Sequence, residues 1–250
     1  MVIDGRKGDV SEYREVPRIM ELCHKYSTDG LMILLPSSSG LSRRSHVDFV
    51  MEFYNPDGSG GMMCGNGGRC ITAFADMLGL KPAAEDGTWH FLAPDGPHVA
   101  KILSREPGKW TVRLKMIDVK GVTPMKNGFF LNTGTRHYVE FRDNVDSIDM
   151  EKEAKPLRWD PAFQPEGTNV NFVERRKDGL HIRTYEKGVE GETLACGTGI
   201  TASAIAFGAP TKLQCRRGDW LSVEFKKDGQ GFKEVYLTGP AELVKTIDIC

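Results

Sequence analysis

Two Cys-Gly-x-Gly segments constrain the possible folds of this chain more than any other sequence feature. Cys64-Gly65-Asn66-Gly67 and Cys196-Gly197-Thr198-Gly199 lie 132 residues apart, and each follows a strand-like segment and a glycine-rich turn. Each also precedes an alanine-rich segment whose apolar residues recur at helical spacing. The chain is therefore predicted to contain two similar halves, each of which presents one cysteine at the N-terminus of a helix.

This position has chemical consequences for a thiol. The first N–H groups of a helix lack intrahelical partners and carry the positive end of its dipole, which lowers the pKa of a thiol from its ordinary value of about 8.5. The adjacent glycines let a ligand approach the backbone, and Asn66 and Thr198 are capping residues that could also bind a ligand carboxylate. A single cysteine of this kind is as often a buried packing residue as a functional one. Two in matching positions favour a functional pair.

Bulk properties indicate an enzyme or binding protein for small molecules. The 250 residues carry a net charge of −1, which does not favour nucleic-acid or membrane-surface binding. Six cysteines without a Cys-x-x-Cys pair do not suggest a disulfide framework or a zinc site, so we expect a reducing compartment and no bound metal. The longest aliphatic run, residues 31–35, is far shorter than the roughly 20 residues of a membrane span, and the N-terminal residues lack a signal-peptide core. A cytoplasmic protein is expected.

Hydrophobic periodicity predicts an α+β fold. The first half is predicted to have a helix at 17–26, a loop at 36–40 and strands at 31–35, 46–54, 90–93, 99–104 and 110–119. The second is predicted to have strands at 128–131, 137–141, 167–172, 181–185, 221–225 and 234–237, with a short helix or loop at 143–152. We expect two pseudo-symmetric domains, each an antiparallel, barrel-like sheet around a central helix. Residues 1–118 form the first, 119–239 the second, and the tail 240–250 packs back on the first.

Two matched thiols in a cleft between such domains suit a reaction that inverts a carbon centre. Racemisation needs a base on one face of the carbon and an acid on the other, so one cysteine must be a thiolate while its partner is a thiol. The helix N-termini could supply this electrostatic bias and stabilise charge that develops on a substrate carboxylate.

Five segments follow one another in an order typical of a known family. They are Tyr54-Asn55-Pro56-Asp57-Gly58-Ser59, Met63-Cys64-Gly65-Asn66-Gly67-Gly68-Arg69-Cys70, Thr168-Asn169-Val170-Asn171-Phe172, Thr184-Tyr185-Glu186-Lys187-Gly188 and Glu192-Thr193-Leu194-Ala195-Cys196-Gly197-Thr198-Gly199. Over nearly the whole chain, these segments resemble the diaminopimelate epimerase family. The resemblance implies a cofactor-independent epimerase that interconverts LL- and meso-diaminopimelate for lysine and peptidoglycan precursor synthesis, in bacteria generally as a homodimer.

The resemblance also implies roles for individual residues. Cys64 and Cys196 would be the two acid/base thiols, and His137 and Glu186 would tune the protonation of the site. The remaining residues would bind substrate: Gly65, Asn66, Gly197 and Thr198 at the reacting carboxylate, and Asn55, Asn169, Glu186 and Lys187 at the distal amino-acid end. On their own, however, His137 is compatible with an ordinary strand residue, Glu186 and Lys187 with a solvated pair, and Asn55 with turn chemistry.

The chain also departs from the family pattern. Lys187 replaces an arginine and so loses a planar two-pronged contact to a carboxylate. Thr135-Arg136 replaces an Asn-Pro pair, and the segments 24–28, 207–210 and 216–218 are shorter than the resemblance implies. Three alternatives stay open: a proline or hydroxyproline racemase, an isomerase with a carboxylate at one cysteine position, and a catalytically silent amino-acid-binding or redox-sensing dithiol protein. Cysteine at both positions argues against the second of these.

Overall fold

The structure is a computed structural model that describes residues 1–37, 47–61 and 64–249. The chain divides into two compact units, one formed by Met1–Leu114 with the residues from Ala241 onward, the other by Lys115–Pro240. The boundary lies a few residues before the expected residue 118; the assignment of the units as two epimerase halves stays a prediction. Parts of three predicted features lie outside the described residues, namely loop residues 38–40, residue 46 at the start of a strand, and residues 62 and 63.

In its described residues, the first unit contains six strands and two α-helices. In chain order its elements are β1 (Val2–Asp4), α1 (Val16–Tyr26), β2 (Leu31–Pro36), β3 (Phe49–Tyr54), α2 (Gly65–Met77), β4 (Thr88–Ala93), β5 (Gly96–Glu106) and β6 (Lys109–Lys115). The strands lie side by side in this same order. The predicted first helix and strands are therefore present, although β6 ends well before residue 119.

The second unit contains a larger sheet and two further helices. Its elements are β7 (Thr123–Met125), β8 (Gly128–Asn132), β9 (Arg136–Phe141), α3 (Met150–Arg158), β10 (Asn169–Arg176), β11 (Gly179–Glu186), β12 (Gly191–Thr193), α4 (Gly197–Phe207), β13 (Thr211–Gln214), β14 (Trp220–Asp228) and β15 (Gly231–Glu242). Their spatial order is β15, β14, β13, β11, β10, β9, β8 and β7, with β12 paired to β11. None of the helices in the described parts of the chain is long and apolar enough to cross a membrane.

The α+β class is confirmed, and the sheets, which were predicted to be antiparallel, are mixed. Among the residues that the structure describes, four strand pairs are parallel: β1 with β2, β3 with β4, β9 with β10, and β11 with β13. A helix separates the two strands of each pair in the chain. A parallel pair needs such a crossover, because the chain must return to the same end of the sheet before the second strand begins.

The two units repeat one order of strand pairings. In the first, a parallel pair around α1 is followed by an antiparallel pair, a parallel pair around α2, and the antiparallel strands β4, β5 and β6. In the second, β9, β10, β11, β13, β14 and β15 follow the same order, with α3 and α4 in the crossovers. This repetition agrees with the duplication predicted from the two Cys-Gly-x-Gly segments.

Each cysteine-bearing helix packs on the sheet of its own unit. In the first unit, Leu31, Ile33 and Leu35 of β2 pack with residues of α1, whereas Met32 contacts the start of α2. Alternate residues of a strand point to opposite faces, so β2 is covered on both sides. In the second unit, Val170 and Phe172 of β10 pack with α3, and α4 packs against the same sheet.

The helix α3 differs most from its prediction. Residues 143–152 contain a 3₁₀ turn at Val145–Ser147 and the start of α3, which continues to Arg158 despite Pro156 within it. The side chain of Asp149 caps the helix by accepting the N–H of Lys152 at 3.2 Å. A proline inside a helix removes one backbone hydrogen bond and is therefore unfavourable there. The sequence around Pro156 consequently does not indicate a helix.

The segments predicted to be short relative to the family contain two helix ends and a turn. Ser27 ends α1 in a left-handed conformation, with φ of 50°, and Gly208 ends α4 in the same way, with φ of 87°. Residues 215–219 form a turn in which the N–H of Cys215 donates to the carbonyl of Asp219 at 3.0 Å.

Candidate active site

Cys64 is the N-cap residue of α2. Its backbone is extended, with φ of −102° and ψ of 157°, and its Sγ accepts the N–H of Gly67 at 3.2 Å. A Cβ at Gly67 would lie 3.3 Å from this sulfur and 3.2 Å from Cε of Met51, so glycine allows the close packing of the sulfur on the helix end. Cys64 is exposed, and its sulfur lies at the positive end of the helix dipole.

Arg69 is a site residue to which the sequence prediction assigned no role. It lies one turn into α2 and is only 5% exposed. Its Nη1 donates to the carbonyl of Gly65 at 3.1 Å, and its Nη2 donates to Oδ1 of Asn66 at 2.9 Å. The guanidinium group therefore orients Asn66, beside Cys64, and places a buried positive charge in this turn. The arginine within the first Cys-Gly motif was the available sequence signal.

Asn55 lies in the turn that follows β3. Its Nδ2 donates to Oγ of Ser59 at 2.9 Å, and its backbone N–H donates to the carbonyl of the same residue at 2.9 Å. Ser59 in turn donates to Asp57 at 2.6 Å. These contacts are the turn chemistry considered for Asn55, and the predicted contact of this residue with substrate stays a prediction.

Cys196 is the N-cap residue of α4 and is 7% exposed. Its Sγ lies 3.4 Å from Oγ1 of Thr198, the second residue of the helix. The carbonyl of Thr198 accepts the hydroxyl of Thr133 at 2.9 Å. Cys196 thus occupies the same helix position as Cys64, but a hydroxyl group contacts its sulfur where a backbone amide contacts that of Cys64.

His137 is fully buried on β9 and belongs to the same hydrogen-bond network. Its Nε2 lies 2.9 Å from Oγ1 of Thr135, and its Nδ1 lies 3.1 Å from Nδ2 of Asn171. Thr135 donates to Oγ1 of Thr198 at 3.1 Å. Burial lowers the pKa of His137 from 6.5 to about 3, because the charged imidazolium would lose its hydration. The imidazole is therefore neutral near pH 7.

Asn171 and Thr184 complete this network and were not among the predicted site residues. Oδ1 of Asn171 accepts the hydroxyl of Thr184 at 3.0 Å, and the two residues face each other across β10 and β11. Asn169 and Asn171 lie two residues apart on a strand, so their side chains share one face. Two asparagines with this spacing in a buried strand were the signal that could have identified Asn171.

Gly199 allows the N-terminal turn of α4 to pack closely against Asn171. A Cβ at Gly199 would lie 2.5 Å from Oδ1 of Asn171 and 3.3 Å from Oγ1 of Thr184. Asn171 is completely buried and its amide is held at both ends, so it has little freedom to move away.

We expect Gly199→Ala to lower the free energy of unfolding by roughly 1–3 kcal/mol, the usual cost of overpacking a core, although alanine by itself favours a helix. Urea unfolding measures this change. Gly191→Ala is the matched control in the same unit, because a Cβ there would meet no atom within 4 Å. Equal stability of the two variants would contradict the packing described for Gly199.

Three of the four residues predicted to hold the distal end of a substrate, Asn169, Glu186 and Lys187, lie around the end of β11, whereas Asn55 lies in the first unit. Buried Asn169 donates to the carbonyl of Arg136 at 2.8 Å, and its Oδ1 accepts the N–H of Lys187 at 2.8 Å. The side chain of Lys187 is exposed and that of Glu186 is half-buried. Asn169 therefore joins the Lys187 backbone to the segment that carries Thr135 and His137.

The predicted residues thus form two groups, each within its own unit. Asn55, Cys64, Gly65 and Asn66 lie at the end of β3 and the start of α2, whereas the others lie around β9, β10, β11 and α4. Across residues 1–37, 47–61 and 64–249, no group of three or more His, Cys, Asp or Glu residues is arranged to hold a metal ion.

Comparison of sequences identifies close relatives. A family model described as diaminopimelate epimerase matches residues 129–244. A diaminopimelate epimerase of Flavobacterium psychrophilum is 39% identical over 236 residues, which are 90% of this chain and 86% of the relative. A diaminopimelate epimerase of Chlorobaculum tepidum is 35% identical over 98% of this chain and 94% of the relative.

Comparison of structures identifies the same fold in more distant proteins. A PhzF-family phenazine biosynthesis protein from Bacillus anthracis matches with a TM-score of 0.66 over 93% of this chain and 89% of that chain, at 12% identity. A probable proline racemase from Agrobacterium radiobacter K84 matches with a TM-score of 0.62 over 88% of this chain and 76% of that chain, at 16% identity. At such low identities, the likeness shows the fold alone.

Proposed function

The chain belongs to the diaminopimelate epimerase family, and we propose that it is an isomerase that interconverts LL- and meso-diaminopimelate without a cofactor. The observation that carries the proposal is the equivalent position of Cys64 and Cys196. Each is the N-cap residue of the helix that joins a parallel strand pair, in two units with one order of pairings. A pair of equivalent thiols is what a two-base inversion requires.

In the proposed reaction, one cysteine is a thiolate and removes the proton from Cα of one amino-acid end of the substrate. The electron pair of the broken C–H bond is delocalised into the adjacent carboxylate. The other cysteine, a thiol, donates its proton to the opposite face of the same carbon. The products are the other epimer and an enzyme in which the thiol and the thiolate have exchanged roles, so the reverse reaction starts from that form.

Helix N-termini supply the electrostatic part of the proposal. Gly65 and Asn66, and Gly197 and Thr198, begin α2 and α4, where backbone N–H groups lack intrahelical partners. These donors would bind the reacting carboxylate and stabilise the negative charge that develops on it. The N–H of Gly67, which donates to Sγ of Cys64 at 3.2 Å, supports a thiolate at that position.

The other predicted residues keep their roles as proposals. Asn55, Asn169, Glu186 and Lys187 would recognise the distal, non-reacting end of diaminopimelate, whose ammonium and carboxylate groups each need a partner when desolvated. His137 and Glu186 would tune the protonation of the thiols. We further propose that the enzyme acts as a cytoplasmic homodimer in lysine and peptidoglycan precursor synthesis.

The proposed function can be tested by incubating the wild-type protein with LL-diaminopimelate in deuterated water under reducing conditions. NMR would follow the loss of the Cα proton, and chromatography would follow the ratio of epimers. We expect solvent deuterium at Cα together with the appearance of the meso form. L-Proline and trans-4-hydroxy-L-proline serve as controls in parallel incubations. Exchange of either of these without exchange of diaminopimelate, or binding of diaminopimelate without exchange, would refute the proposal.

A further inference from the structure

We propose that Thr135 is a positioning residue that connects the buried His137 to the Cys196 sulfur through Thr198, in a chain of hydrogen bonds that all point toward the sulfur. The proposal rests on the role of Cys196 as an acid/base thiol given above. Thr135 was not among the predicted site residues.

The donor and acceptor roles in this series of hydrogen bonds follow from the orientation of the Asn171 amide. Its Nδ2 lies 2.9 Å from the carbonyl oxygen of Tyr138, and its Oδ1 lies 3.0 Å from the hydroxyl of Thr184. The opposite orientation of the amide would place two oxygens against each other at Tyr138. Nδ2 of Asn171 is therefore the atom that faces Nδ1 of His137, at 3.1 Å, and it can only donate there.

The tautomer of His137 follows from this contact. Nδ1 accepts a hydrogen bond, and the buried ring is neutral, so the single ring proton is on Nε2. That N–H donates to Oγ1 of Thr135 at 2.9 Å. Thr135 also receives a longer contact of 3.4 Å from Nδ2 of Asn169, so its oxygen faces two donors. Its own hydroxyl proton is thereby directed elsewhere.

The hydroxyl proton of Thr135 points to Thr198. The two Oγ1 atoms are 3.1 Å apart, with Thr135 as the donor. Thr198 accepts this bond, so we infer that its own hydroxyl proton is donated to Sγ of Cys196, which lies 3.4 Å away. Each group accepts one hydrogen bond and donates the next. Hydrogen bonds linked in this way strengthen one another, because each bond polarises the next. A donor at the end of the chain stabilises the thiolate form of Cys196.

Several charged groups lie near these hydrogen bonds. Arg136, next to Thr135, pairs with Glu166. Glu186 and Lys187 lie at the end of β11, where the N–H of Lys187 binds Asn169. The ring nitrogens of His137 contact a hydroxyl group and an amide group. Thr135 itself carries no charge, so we attribute its effect on the sulfur to the orientation of a hydrogen-bond donor.

The test measures the ionisation of Cys196 directly. The full-length wild-type protein and the Thr135→Val variant are alkylated with iodoacetamide across pH 5–10, a range chosen because thiols ordinarily titrate near pH 8.5. Peptide mass spectrometry then gives the rate at each cysteine. We expect Thr135→Val to raise the apparent pKa of Cys196 by about one unit, a tenfold loss of thiolate at neutral pH, since a bond to a charged group is weakened. Cys64 in the same molecule is the internal control and should keep its profile.

Two further variants distinguish loss of the Thr135 hydroxyl donor from a general disturbance of the local structure. Thr135→Ser keeps the hydroxyl and should restore the wild-type profile of Cys196. Thr133→Val removes a neighbouring hydroxyl that binds the backbone carbonyl of Thr198 at 2.9 Å but is not part of the chain, so it should leave the profile unchanged. If Thr135→Val does not fold, Thr135→Ala replaces it in the same comparison.

An unchanged Cys196 profile in Thr135→Val, or an equal shift in Thr135→Ser or Thr133→Val, would overturn the proposal. Because alkylation needs no substrate, this result is independent of the epimerase assay. A wild-type protein without epimerase activity would refute the proposed function, while a shifted Cys196 profile in the same preparation would still support the hydrogen-bond chain.

Discussion

Replacing Cys64 or Cys196 by alanine is expected to lower the rate of epimerisation by about 10²- to 10⁴-fold, the range that a positioned acid or base contributes. Each variant should also leave a partial activity of a specific kind. The remaining thiolate can still remove a proton from the epimer whose Cα–H faces it and return solvent deuterium to the same face. One variant should therefore exchange only LL-diaminopimelate, and the other only the opposite configuration at that centre.

The measurement is Cα exchange in deuterated water, started separately from each epimer. Cys23→Ala and Cys215→Ala are matched controls, since both remove a buried thiol outside the site, one from each unit. They should retain exchange and inversion. Inversion at the wild-type rate in Cys64→Ala or Cys196→Ala would exclude the two-thiol mechanism, and identical loss in the control variants would indicate general damage to the fold.

Replacing Arg183 by methionine is expected to lower the free energy of unfolding by about 3 kcal/mol, the lower end of the cost of removing one partner of a buried ion pair, because Glu192 is only half-buried. Arg183 is 8% exposed and makes a two-pronged contact with Glu192, both distances being 2.7 Å. Its Nη1 also donates to the carbonyls of Val145 and Ile148 at 2.8 and 2.7 Å. Methionine fills similar volume but leaves these acceptors without their donor.

The Arg183→Met substitution should also lower the rate of Cα exchange, because Glu192 lies on β12, in the segment that leads to Cys196. Urea unfolding and the Cα-exchange assay measure the two consequences. Arg217→Met is the control: Arg217 is exposed and lies 3.5 Å from Asp219, and exposed pairs contribute roughly 1 kcal/mol or less. If Arg183→Met were no less stable than Arg217→Met, the contacts of Arg183 would not hold this segment.

Much of the fold can be predicted from local sequence patterns. Apolar residues at helical spacing, with Pro17 near the N-terminus, define α1, and the aliphatic run at 31–35 defines a strand buried on both faces. Glycine and capping residues after each cysteine define the starts of α2 and α4. Signals of this kind act within a few residues, so one sequence is sufficient to read them. The helix α3 was harder to predict because Pro156 lies within it.

The sequence by itself determined that two cysteines sit at equivalent helix N-termini in a duplicated α+β chain. Only the tertiary structure decided which strands are parallel and which groups meet at Cys196. His137, Asn171, Thr184 and Thr198 come together because β9, β10 and β11 pair in one register and α4 packs on them. Register and helix packing depend on burial across the whole unit, so no short segment encodes them.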